Sequence, residues 1–260
     1  MIKHRHIAAL ALCATAVAAC GDNGQTDITA PAPTSAVMYF NFGLGAPGVN
    51  FFANDAKVTG VSSSTGAESP VGTSNGVAAG GYYVGIAPGQ YTLSGRLSDT
   101  TAANHNVQIS SVSTTLADGK WYSYYQAGPY DATAKHVDAF VVEDDIPAGI
   151  DYATAHVRLV NAIYNSNPGT LTVTNNDTTG NSVVIGGAVP YKSASAFVAV
   201  PPGTYNLSVA GLGATPVVRN GSNAVLLDSG RYYTITAKGD ITVTSSKAAN
   251  YPSLDYQPNR

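Results

Sequence analysis

The chain has 260 residues, of which 44% are hydrophobic and 11% charged, and its net charge is −3. The apolar share is enough for a core, which excludes general disorder, and thirteen basic against sixteen acidic side chains leave no positive excess for nucleic acid. Twenty-seven Gly, fourteen Pro and sixteen Tyr favour turns and half-buried strands over long helices.

In chain order, residues 1–19 read as a signal peptide. Lys3 and Arg5 form a short basic start, and Ile7 to Ala19 is an uncharged run of small and apolar residues. That run is too short to span a ~30 Å hydrocarbon layer as a helix, so a cleaved signal fits better than a permanent anchor. The junction Val17-Ala18-Ala19-Cys20 resembles the lipobox of bacterial lipoproteins. That resemblance implies cleavage before Cys20 and lipid on its thiol and new amine, hence attachment to a membrane of the bacterial cell envelope. Gly21 follows the cysteine and Asp22 comes one place later; by the same resemblance the outer membrane is favoured. Cleavage removes two basic and no acidic side chains, taking the net charge from −3 to −5. It also removes Cys13, so the mature chain holds a single cysteine and no internal disulfide.

Residues 20–35 carry the lipidated cysteine and a polar, proline-containing tether. Beyond it the chain repeats itself. Val37–Asn41 is echoed by Val157–Asn161, Gly85–Gly95 by Ala199–Val209, and Leu116–Tyr125 by Leu227–Thr236, in the same order at offsets of 120, 114 and 111. Period-two alternation marks Tyr91/Leu93, Leu171/Val173, Tyr205/Leu207/Val209 and Ile241/Val243 as strand positions, each with one face in solvent. Pro88-Gly89, Asp118-Gly119, Pro202-Gly203 and Ser229-Gly230 separate the runs as turns. The expected fold class is all-β: two tandem antiparallel β-sandwich domains, immunoglobulin-like, over 36–145 and 153–245. A linker at 146–152 joins them and 246–260 is a polar tail. Tyr91 and Tyr205 are expected to bond back to the turns before them.

Val141–Ala148 (VVEDDIPA), His156–Ala162 (HVRLVNA), Pro201–Val209 (PPGTYNLSV) and Ser229–Gly239 (SGRYYTITAKG) resemble the domain-of-unknown-function family 4397. The resemblance implies tandem sandwich units in secreted or lipid-anchored bacterial proteins. It brings no catalytic residues with it. The second copy carries the match best; the Gly/Ser insert at 59–81 departs from it.

Several motifs lack the context their chemistry needs. Gly43–Gly48 satisfies GxGxxG, but the residues after it, Val49–Asp55, read as a strand, not the helix that would meet a pyrophosphate. Gly72–Gly76 satisfies GxSxG around Ser74, yet its flanks read as a loop, and neither His105, His136 nor Asp99 is brought near it by spacing. His105, His136 and His156 form no metal-binding pair. Glu143, Asp144 and Asp145 read as a solvated linker rather than a Ca²⁺ site, and Asn175–Gly180 as a turn without the bidentate Glu of a calcium loop. The candidate ligand-contact residues are the aromatics Trp121, Tyr122, Tyr124, Tyr125 and Tyr130: one set fills the core and the other is left for a sugar or a protein partner. No catalytic residue, metal or cofactor is expected. The expected function is a lipid-anchored, non-enzymatic binding or scaffold module whose partner is a glycan or an envelope protein. The rivals are an envelope hydrolase of glycans or esters using Ser74 or the carboxylates, and an assembly partner acting by strand addition.

Overall fold

The computed structural model describes residues 34–59, 72–99, 101, 103–147, 149, 151–177 and 180–259. The signal peptide, Cys20 and most of the tether lie outside the described residues. Among the described residues no helix is long and apolar enough to cross a membrane.

The first half runs β1 (Ser35–Leu44), β2 (Val49–Ala53), β3 (Ala56–Lys57), β4 (Val77–Ala78), β5 (Val84–Ile86), β6 (Gly89–Leu97), β7 (Gln108–Leu116), β8 (Trp121–Asp131) and β9 (His136–Asp144). The second runs β10 (Ala155–Asn161), β11 (Gly169–Asn175), β12 (Ser182–Val189), β13 (Ser193–Ala194), β14 (Val198–Val200), β15 (Gly203–Ala210), β16 (Val217–Arg219), β17 (Val225–Leu227), β18 (Tyr232–Lys238) and β19 (Ser253–Pro258). The fold is all-β, with its sheets packed as sandwiches. In the first sandwich β4 and β5 both flank β1, giving the order β4/β5-β1-β8-β9, and the facing sheet is β3-β2-β6-β7. The second has β13/β14-β10-β18-β19 facing β12-β11-β15-β16, with β17 also on β15.

Most pairings are antiparallel, but each sandwich has one parallel pair at its centre, β1 with β8 and β10 with β18. The chain leaves one sheet, builds the other and returns alongside its first strand. A connection that long permits a parallel partner. These four strands also depart from the expected alternation. On β1, Val37 and Tyr39 enter the first core while Met38, Phe40 and Phe42 enter a different cluster, and all five are buried. A strand covered on both faces reads as a continuous apolar run, as Val37-Met38-Tyr39-Phe40 does. Plain alternation holds on the outer sheets: Leu171 and Val173 are buried, and Thr172 and Thr174 half-exposed.

Three apolar clusters result. One fills the first sandwich around Tyr39, Phe51, Leu93 and Tyr124. A second fills the other around Leu159, Leu171, Leu207 and Ile235. The third lies where the sheets of β1 and β10 meet, and joins Met38, Phe40, Phe42, Tyr125 and Phe140 to Val160 and Ala162. Its centre is a ring stack: Tyr125 lies 4.5 Å from Phe40 at 9° and 5.0 Å from Phe140 at 17°.

The repeated motifs make repeated bonds. The Tyr122 hydroxyl accepts from the Ala117 amide at 3.0 Å, and 111 residues on Tyr233 accepts from Asp228 at 2.9 Å. Asn41 and Asn161 each tie the end of a central strand to a backbone carbonyl, of Pro47 in a loop and of Val189 at the end of β12, both at 3.1 Å. Tyr205 donates back to the Pro201 carbonyl at 2.8 Å, as expected of a corner tyrosine, whereas Tyr91 packs half-buried against the first core. Gly95 is required by packing: a Cβ there would stand 2.5 Å from Gln126 Oε1 and 2.7 Å from Ser110 Oγ, atoms bonded to each other at 2.7 Å.

Two expectations on the last segment need correction. Ile241–Thr244 is turn and loop rather than strand, because Gly239 swings the chain out of the sheet with φ +114°. The segment expected to be a polar tail returns as β19, with Tyr233 opposite Pro258 and Lys238 opposite Ser253. Its Leu254 is buried and Tyr256 packs against the second core, but two such residues in a polar stretch are too faint a pattern to announce an edge strand.

Phe40→Ala should cost about 3–5 kcal/mol by opening the ring stack, read as a lower urea midpoint at unchanged slope. Burial holds the phenols of Tyr39, Tyr124 and Tyr125 above the ordinary value of 10.0. The folded chain therefore keeps protons that the unfolded chain releases. That contribution is complete below the unfolded value and is lost as pH rises toward the folded ones, so the melting temperature should fall between about pH 9 and about pH 11.

Candidate functional site

A buried ion pair and its polar partners lie where the two sandwiches meet. Alternation along β9 turns Asp144 inward, and alternation along β10 turns Arg158 toward it; their side chains are 0% and 1% exposed. The Arg158 guanidinium donates from Nη2 to Asp144 Oδ1, from Nη1 to the Glu143 carbonyl at 3.0 Å and from Nε to Thr234 Oγ1 at 2.9 Å. The other carboxylate oxygen of Asp144 accepts from Ser123 at 2.7 Å and from the Tyr83 hydroxyl at 2.6 Å. Asn259, just past β19, donates to that hydroxyl at 2.8 Å and accepts from Thr234 at 2.6 Å, which closes the ring of bonds. Burial works against the charge on Arg158, but Asp144 beside it more than compensates and raises its pKa. Burial and the same carboxylate push the Tyr83 phenol far up, so it acts here as a donor. Two further contacts cross the junction: the Lys238 ammonium donates to the Gly76 carbonyl and stands 4.5 Å over the Phe42 ring.

Against this network lies a cavity of about 250 Å³, whose lining includes Glu143, Asp145, His156, Arg158, Phe197 and Tyr232. His156 and Tyr232, side by side on the parallel strands β10 and β18, stack at 4.4 Å and 8°. Phe197 meets Tyr232 edge-on at 5.2 Å, and its ring lies 4.7 Å from the Arg158 guanidinium carbon. At the mouth Lys120 holds Glu143 at 2.7 Å and reaches Asp145 at 3.9 Å. Two other hollows are simpler. A shallow one of about 390 Å³ on the outer face of β6 and β7 carries hydroxyls and amides such as Gln90, Thr92 and Ser113, and one of about 310 Å³ beside β16 is walled by Val217, Ile241 and Tyr251. Charged and aromatic groups converge in the junction cavity, which makes it the candidate site.

The aromatics singled out from the sequence are dispersed. Tyr122 and Tyr124 fill the first core and Tyr125 the junction, all three buried. Trp121 is half-buried with its ring edge-on to Tyr83 at 4.5 Å, near this network, and Tyr130 packs against the first core. Cys20 lies outside the described residues. The acidic run is not uniformly solvated: Asp144 is buried and paired, and only its neighbours face water. A usable signal was present in Val157-Arg158-Leu159-Val160. An arginine inside an apolar run that is buried on both faces requires an anion, and an acidic triplet stands just upstream. His156, Phe197 and Tyr83 had no comparable mark.

The loop carrying Gly43–Gly48 leads from β1 into β2, strand to strand. Thr73 bridges Val49, and Ser74 beside it is exposed. His105 bonds Asn106, His136 lies 3.8 Å from Asp138, and His156 is in the ring stack. Among the described residues no group of three His, Cys, Asp or Glu is placed to hold a metal ion.

Arg158→Met leaves Asp144 buried without its countercharge and should lower stability by about 3–5 kcal/mol in urea, while Arg158→Met with Asp144→Leu should recover most of that loss.

No protein-family model matches the chain, and no curated protein matches it in sequence.

Proposed function

We propose that this chain is a lipid-anchored protein of the bacterial cell envelope, with the outer membrane favoured, whose two sandwiches act as a non-enzymatic binding or scaffold module. The anchor rests on Lys3, Arg5, the apolar run to Ala19 and the lipobox-like Val17-Ala18-Ala19-Cys20. The resemblance of its strand motifs to the domain-of-unknown-function family 4397 points to the same setting. The observation that carries the binding role is the junction cavity, in which carboxylates at the end of β9 meet the ring stack of the second sandwich. A cleft between two bodies with a few convergent polar groups is where small ligands are usually held.

Assembly by strand addition is a second reading, favoured by β7. This nine-residue edge strand, Gln108–Leu116, carries no charged side chain, and natural edge strands usually place a charge or proline there as a block.

Expressed in a bacterial host, the wild-type chain should sediment with membranes and take up labelled fatty acid. Cys20→Ala should move it to the soluble fraction at an unchanged melting temperature. Retention of that variant in the membrane fraction would defeat the anchor reading.

A further inference from the structure

The junction cavity has a charge pattern that selects among ligands. Three carboxylates, Glu143, Asp144 and Asp145, stand with two cations, Lys120 and Arg158, a balance of −1. Arg158 is neutralised by Asp144 and covered by Phe197, so it offers little to an anion. The uncommitted charge is negative and lies at the mouth, where the Asp145 side chain is 89% exposed and Lys120 approaches it only to 3.9 Å. The wall is aromatic, with the His156–Tyr232 stack crossed edge-on by Phe197.

Each candidate ligand class meets a different fate there. An anion would face the mouth carboxylates. A neutral sugar would have to draw water from Asp145 and Glu143 without supplying a countercharge. A purely apolar group would do the same with no polar contact in return. A primary ammonium group on an alkyl stem suits the whole lining. Its N–H donors have the Glu143 and Asp145 carboxylates as acceptors, its charge is drawn to aromatic ring faces, and its methylenes pack on Phe197.

We propose that the junction cavity binds a primary alkylammonium group, of the kind carried by a lysine-type side chain or a short diamine. This deepens the binding-module reading by giving the module's ligand a chemistry. It relies on that reading only for the site's role, since the cavity is built without the lipid anchor.

The test is an NMR titration of the full chain with Nα-acetyl-lysine methylamide, a short alkyl diamine and the uncharged norleucine analogue. The lysine derivative should shift the amides of Asp145, His156 and Phe197 saturably, and the norleucine analogue should bind at least about tenfold more weakly. Asp145→Asn, at a side chain that is 89% exposed, should weaken the lysine derivative about tenfold at an unchanged melting temperature, and Phe197→Ala, which also uncovers Arg158, should weaken it by a similar factor. Tighter binding of the lysine derivative than of the diamine names a peptide as the source, and the reverse order names a free amine; either supports the proposal. Absence of saturable shifts at the junction, equal binding of the norleucine analogue, or indifference to Asp145→Asn would overturn it. None of those results bears on the membrane fractionation of Cys20→Ala, so the two readings fail separately.

Discussion

The two sandwiches are joined through the burial of one ion pair. Arg158 and Asp144 have almost no access to water, and neither charge could be held there alone. Each is therefore surrounded by partners drawn from distant parts of the chain: Ser123 and Tyr83 from the first sandwich, Thr234 and Asn259 from the second. An ion pair in such a place adds less to net stability than to definition. An apolar interface such as that of Phe40, Tyr125 and Val160 tolerates several alignments of the two sheets, whereas directed bonds to a carboxylate and a guanidinium tolerate one.

That alignment has consequences for the surface. Asp144 is drawn inward by Arg158, so its neighbours Glu143 and Asp145 are held at the mouth of the junction cavity. The same strand, β10, puts His156 two places before Arg158 on the same face, against Tyr232 of the parallel strand β18. The candidate site is thus a by-product of the way the sheets are clamped, and a change that loosens the clamp would also disperse the site's groups.

The internal duplication explains why only some strands follow the simplest pattern. Both halves use the same local devices: the tyrosine hydroxyl that takes a turn amide, and the asparagine that closes the end of the central strand. They differ at the shared face, because each sheet there meets its counterpart in the other half. The first copy brings aromatics, Phe40, Phe42 and Tyr125, and the second brings Arg158, Val160, Thr234 and Thr236. The first copy presents broad rings and the second the smaller Val160 and Ala162 beside Arg158, so the two faces differ where identical copies would not.

Sequence by itself determined the strand content, the repeat and the outer sheets, because period-two alternation and Pro-Gly or Asp-Gly turns act within a few residues. It also marked Tyr205 as a turn tyrosine, while its counterpart Tyr91, marked the same way, packs on the first core instead. The parallel pairing of β1 with β8, the return of residues 253–258 as an edge strand and the choice of buried aromatics were decided by tertiary structure. So was the candidate site. Asp144 and Glu143 are adjacent in the chain and look alike there. Only the arrival of β10 opposite β9, with Arg158 seeking a countercharge, separates a buried structural carboxylate from one left at the mouth of a cavity.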